Sequence, residues 1–164
     1  MRLEASIGEV GNHTWSHRSL TDLANERVVG QFVRTQNALE RVTGKRPHLY
    51  RPPFEAHNFR VDGIAAGLGL LTELWNVDSG DASVASTPSA EVVFRNLVRR
   101  VRPGAIVLLH EDETVPTTVR ALRRFLPELR RRGLDAVSGL VTRDPPDAQE
   151  LPNGSGGCNS TWRR

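Results

Sequence analysis

"AIVLLH", residues 105–110, decides the fold class. Five apolar residues run without alternation into a histidine. Strict alternation would mark a strand with one wet face. An unbroken apolar run of this length marks a strand covered on both faces, as in a parallel sheet flanked by helices. "RPG" (102–104) turns the chain into it. On its N-terminal side, Phe94, Leu97, Val98 and Val101 repeat at helical spacing. Thr87 is the expected cap of that helix, with Pro88 in its first turn and Glu91 early in it. On its C-terminal side, Leu122, Phe125, Leu126 and Leu129 predict a last helix, kinked or delayed by Pro127. "LDAVSGLV" (134–141) then reads as a final strand.

The same alternation continues upstream. Val28, Phe32, Thr35, Leu39 and Val42 predict a helix over 25–42, stopped by Gly44. "HLYR" (48–51) is a short strand closed by Pro52 and Pro53, 61–68 a helix ended by Gly69, and "LLTELWNV" (70–77) a strand. Helices alternating with strands give an α/β class with mainly parallel strands.

Composition excludes several alternatives. The 164 residues are 38% hydrophobic and 25% charged, an ordinary globular balance. No apolar run approaches the roughly 18 residues of a membrane span. The formal charge is +3, and the excess is arginine clustered at 99–102 and 123–132. These arginines punctuate amphipathic helices and lack interleaved aromatic residues, so they read as solvated faces and not as a nucleic-acid surface. Cys158 is alone and forms no internal disulfide. Residues 143–164, rich in Pro, Gly, Ser and Asn, read as a disordered tail behind a domain of residues 1–142.

In α/β folds, functional groups gather where strands end. His13 and His17 follow the first strand-like stretch, Arg51 and "PPF" the second, Asp78 and Asp81 the third, and His110 and Glu111 the fourth. On a helical turn, imidazoles four positions apart point the same way and can share one ion. Asn12, Thr14 and Ser16 can hydrogen-bond around them. His110, at the end of an apolar strand, is a candidate general acid. Asp78 or Asp81 is a candidate to orient an imidazole, against the plain alternative that "DSGD" is a turn. Arg51, before two rigid prolines, suits pairing with a buried carboxylate.

Together these stretches resemble the polysaccharide deacetylase family, the NodB-homology domain of carbohydrate esterase family four. "HTWSH" is similar to its H-[ST]-x-x-H motif, "RPPF" to its groove motif, "WNVDSGD" to its fourth motif and "LLH" to its fifth. The resemblance implies a distorted (β/α) barrel, incomplete here, with its first strands missing. It implies that His13 and His17 bind a divalent metal, usually zinc. It implies that Arg51 holds the catalytic carboxylate, that Asp81 supports His110, and that His110 is the acid. Pro53, Phe54, Trp75 and Leu108 would line the substrate groove. The implied reaction is metal-dependent removal of N-acetyl or O-acetyl groups from a glycan such as chitin oligomers, peptidoglycan or xylan, releasing acetate. Family members act outside the cell or at its envelope.

The sequence departs from the family in three places. Ala82 follows Asp81 where a tryptophan is usual, and Glu55 stands where a glycine is common. The family's T-F-D-D-G motif, which supplies the base and the third metal ligand, has no counterpart in the chain. Glu55, Asp78 and Asp112 are the substitutes available as a third ligand. Weak metal binding and low activity are therefore expected of these 164 residues, with a non-catalytic carbohydrate-binding relic as the alternative.

Overall fold

A computed structural model describes residue 6 and residues 8–82, 88–111 and 116–137. The expected tail at 143–164, Thr87, Asp112, Cys158 and residues 138–141 of the expected last strand lie outside these residues. The described part is an incomplete α/β barrel: four helices, four short parallel strands and their connections.

Helix α1 (Asn25–Thr43) buries Val28, Phe32, Gln36 and Leu39. Gly44 at φ 75° ends it by donating its N–H to the Glu40 carbonyl. Val42, expected on the apolar stripe, is 42% exposed, and Gln36 takes the inner position instead. The amide is tolerated there because Nε2 donates to the Leu68 carbonyl and Oε1 accepts from Arg46.

Strand β1 (Leu49–Tyr50) pairs in parallel with β2 (Leu71–Thr72), and Asn12 adds a single parallel bridge to Tyr50 on the other side. Between β1 and β2 runs helix α2 (Phe59–Gly67), capped by the Asn58 side chain on the Val61 N–H. Asp62 of α2 accepts from Thr72 and pairs with His57, tying the helix to both of its flanks.

The expected strand over 70–77 is two strands with different partners. Glu73 N–H still donates to the Tyr50 carbonyl, continuing the β1–β2 ladder. Three residues later, the Asn76 and Val77 N–H groups both donate to the Ile106 carbonyl, while Asn76 Oδ1 accepts from Ile106 N–H. The chain thus changes sheets at Asn76, and β3 (Val77–Asp78) pairs with β4 (Val107–Leu108).

Helix α3 (Ala90–Arg100) starts two residues later than the Thr87 cap predicts. Ser89 is its cap, accepting from Val92 N–H, and Pro88 lies outside the helix. Helix α4 (Pro116–Arg131) begins well before Leu122 and runs through Pro127. Pro127 is exposed, so the carbonyl deprived of its N–H partner can meet water.

The "AIVLLH" strand is shorter and less covered than its composition predicts. Only Val107–Leu108 is strand, and residues 105–109 are half-buried; among the described residues β4 pairs with β3 alone. Residues 134–137 carry no strand, and Val137 is 70% exposed.

Most of the buried apolar residues among those described form two clusters. One joins Leu20, Val28, Phe32, Tyr50, Val61 and Leu70. The other joins Val77, Val93, Leu97, Ala121, Phe125 and Leu129.

Candidate active site

The loop carrying His13 and His17 is not a helical turn. Thr14 (φ 65°) and His17 (φ 52°) sit in the left-handed region, unusual for residues other than glycine. Side chains hold it there. Asn12 Oδ1 accepts from Thr14 N–H, and Thr14 Oγ1 accepts from His17 N–H. Gln31 of α1 accepts from Trp15 N–H, Ser16 N–H and Ser16 Oγ at 2.9, 2.8 and 3.2 Å. Asn12, only 1% exposed, anchors the whole to α1 by donating to the Phe32 carbonyl.

The result brings the two imidazoles together by another route than the expected helix. Their ring centroids are 4.9 Å apart, edge to face, and Phe54 packs on His17 at 4.8 Å. His13 Nδ1 lies 2.8 Å from the Arg51 carbonyl. A carbonyl only accepts, so Nδ1 carries the proton and Nε2 is left with a free lone pair. Burial lowers the proton affinity of His13; the Arg51 carbonyl opposes this, and the charges of His17, Arg51 and His110 reinforce it. A neutral ring with an oriented Nε2 is the form that binds a divalent cation, with a carbonyl behind it as outer partner. The pair therefore fits part of a metal site. Among the described residues, no third His, Cys, Asp or Glu completes it, which leaves Glu55 and Asp78 apart from the pair.

The second half of the site stands at the ends of β3 and β4. Asp81 is 1% exposed. Its Oδ1 accepts from His110 Nδ1 at 2.8 Å, and its Oδ2 accepts from His110 N–H at 2.8 Å and from Thr118 Oγ1 at 2.9 Å. Burial pushes the Asp81 carboxyl up, but donors from the His110 backbone, the His110 ring, Thr118 and Ser79 outweigh it and hold the group below its ordinary value. An ionised Asp81 only accepts, so His110 keeps a proton on Nδ1 and has Nε2 for chemistry. Asp78 has the turn role: its Oδ1 accepts from Gly80 N–H.

Gly80, at φ 70°, links the two aspartates. A Cβ there would meet Asn96 Nδ2 at 3.1 Å, and that amide already donates to the Ser79 carbonyl. Gly80→Ala is expected to cost about 1–3 kcal/mol through left-handed strain and crowding. Urea denaturation of the two forms checks this.

Arg51 pairs with Glu73, Nη2 to Oε1 at 3.0 Å. Its Nε is buried without a hydrogen-bond partner among the described residues, a donor able to take a further carboxylate oxygen. Pro53 is buried, and Phe54 is 71% exposed with φ 59°. Trp75 lines an open groove of about 310 Å³ with Leu49, Leu71 and Ile106, and the Arg51 guanidinium lies 5.8 Å from its ring. Leu108 is half-buried in β4. Gln31, Glu73 and Thr118 have no expected role in the sequence reading. Each acts across 15 or more positions, and no local pattern marks such a partner.

The family model described as polysaccharide deacetylase matches residues 1–72. A bifunctional xylanase/xylan deacetylase of Cellvibrio japonicus is 31% identical over 134 residues, covering 82% of this chain and 20% of that protein. A chitin deacetylase of Amylomyces rouxii is 33% identical over 129 residues, covering 73% of this chain and 30% of that protein. Among solved structures, a CE4 family pseudoenzyme from Bacillus anthracis superimposes with a TM-score of 0.70 at 28% identity, covering 77% of this chain and 43% of that one. The chain thus spans less than a third of the length of these two curated relatives.

Proposed function

Because this chain belongs to the polysaccharide deacetylase family, we propose that residues 1–142 form part of a metal-dependent deacetylase domain that hydrolyses acetyl groups on a glycan. The observation that supports it most is that two separately built units carry the groups this chemistry needs: the imidazole pair of His13 and His17, 4.9 Å apart, and His110 held by the buried Asp81 at 2.8 Å.

His13, through Nε2, and His17 would hold the cation. A divalent ion, zinc by the softness of its donors, supplies a polarised acetyl carbonyl and an acidified water when bound. Water oxygen adds to the carbonyl carbon and its protons pass to bulk water, the T-F-D-D-G base having no counterpart in these residues; the carbon–nitrogen bond breaks, acetate leaves, and the amine takes a proton. His110 Nε2 delivers it, while Nδ1–H stays on Asp81. Phe54, exposed beside His17, offers a stacking face for a sugar ring. Among the described residues, two imidazoles are fewer than the three protein ligands usual in catalytic zinc sites. The chain by itself is therefore proposed to bind the cation weakly and to turn over slowly.

The test is acetate release from acetylated chito-oligosaccharide, peptidoglycan and acetylated xylan, with zinc and with chelator. Release that needs the metal and disappears in His110→Ala supports the reading; release indifferent to His110→Ala overturns it. Likeness to a pseudoenzyme favours a second reading, a glycan-binding protein without chemistry. Glycan binding that ignores chelator, with no acetate released, would establish that one instead.

A further inference from the structure

We propose that Thr118 is a positioning residue for His110, acting through Asp81. The inference rests on His110 being the proton donor of the proposed site. Asp81 has three donors besides its own turn, and two of them belong to His110: its backbone N–H and its ring Nδ1. The first ties the carboxylate to the main chain after β4, and the second leaves the ring held by one bond, so the aim of the ring follows the aim of the carboxylate. Thr118 Oγ1, 2.9 Å from Asp81 Oδ2, is the contact from a separate element.

That element is rigid at this point. Thr118 is 4% exposed, and the residues that follow it on the same face of α4, Ala121, Phe125 and Leu129, lie in the second core cluster. Threonine is β-branched, so burial restricts it to few rotamers. The bond is charge-assisted and shielded from water, the setting in which a hydroxyl has the most effect. The ring it controls is 43% exposed. Thr118 thus refers the direction of His110 Nε2 to helix α4.

The experiment is nitrogen–proton NMR of the full chain, following the Nδ1–H resonance and tautomer of His110 in Thr118→Val and Thr118→Ser. The native protein and the serine variant, which keep the hydroxyl, should retain an Nδ1–H signal protected from water. The valine variant should exchange it at least about tenfold faster, the effect of removing one hydrogen bond to a charged group. In any metal-dependent turnover, kcat should fall by a similar factor with KM unchanged. A folded valine variant with native Nδ1–H protection overturns the inference. Thr118→Ala carries the same test if valine prevents folding. Protection that follows the hydroxyl in a chain that never releases acetate would support Thr118 in this role and overturn the deacetylase reading alone.

Discussion

Asp81→Asn should leave the molecule folded and remove its acid chemistry. The carboxylate accepts three hydrogen bonds on two oxygens, from His110 N–H, His110 Nδ1–H and Thr118 O–H. An amide has the same shape but one acceptor oxygen, so its NH2 must face at least one of these donors. The ring is the donor that can yield, by moving its proton from Nδ1 to Nε2. Imidazole releases a proton at Nε2 only while Nδ1 keeps its own, so the shifted tautomer cannot serve the departing amine. Wrong-tautomer substitutions of this kind lower kcat by roughly 10⁴-fold. An assay of acetate release checks the loss, and nitrogen NMR of His110 checks its cause.

The same substitution should alter stability against pH. The folded Asp81 carboxyl ionises below its ordinary value. Its contribution to stability is then fully present above the unfolded value near 4 and is lost as pH falls through the lower folded value. Urea denaturation between pH 6 and pH 3 should show the native protein weakening over the acid end, and Asp81→Asn doing so less steeply. Equal slopes would mean that the carboxylate carries no such linkage.

Gln31→Leu should weaken metal binding by about 10–100-fold, the scale of losing a group that orients metal ligands, because it releases the loop between the two imidazoles. One oxygen, Gln31 Oε1, accepts three bonds from Trp15 and Ser16. Leucine matches its size and offers no acceptor. The loop also holds Thr14 and His17 in left-handed conformations, which cost about 1–3 kcal/mol each when nothing enforces them. Freed amides let the loop relax and the two rings separate. Zinc titration calorimetry reads the affinity, and hydrogen exchange at Trp15 and Ser16 reads the loop. Unchanged affinity with fast amide exchange would show that the loop does not set the imidazole geometry.

The order of elements was legible because each helix carries its own periodicity and each strand end its own chemistry. The His110–Asp81 pair and the closeness of His13 to His17 are legible too, but the two histidines meet on a bent loop and not on a helical turn. Side-chain acceptors bend that loop, and no residue spacing encodes it. The break in "LLTELWNV" was hidden for a similar reason. An apolar run shows that a strand is covered, not which neighbour it pairs with, and here Asn76 moves the chain from one partner to the other. Gln31, Glu73 and Thr118 are ordinary residues until the fold brings their partners to them.

The two apolar clusters sort the site as well as the fold. His13, His17 and Arg51 neighbour the cluster of Phe32 and Tyr50; Asp81 and Thr118 belong with that of Val93 and Phe125. A molecule gripped by both sets of groups would act as a rivet between the two clusters. Its arrival should slow amide exchange in both at once, far beyond the atoms it touches.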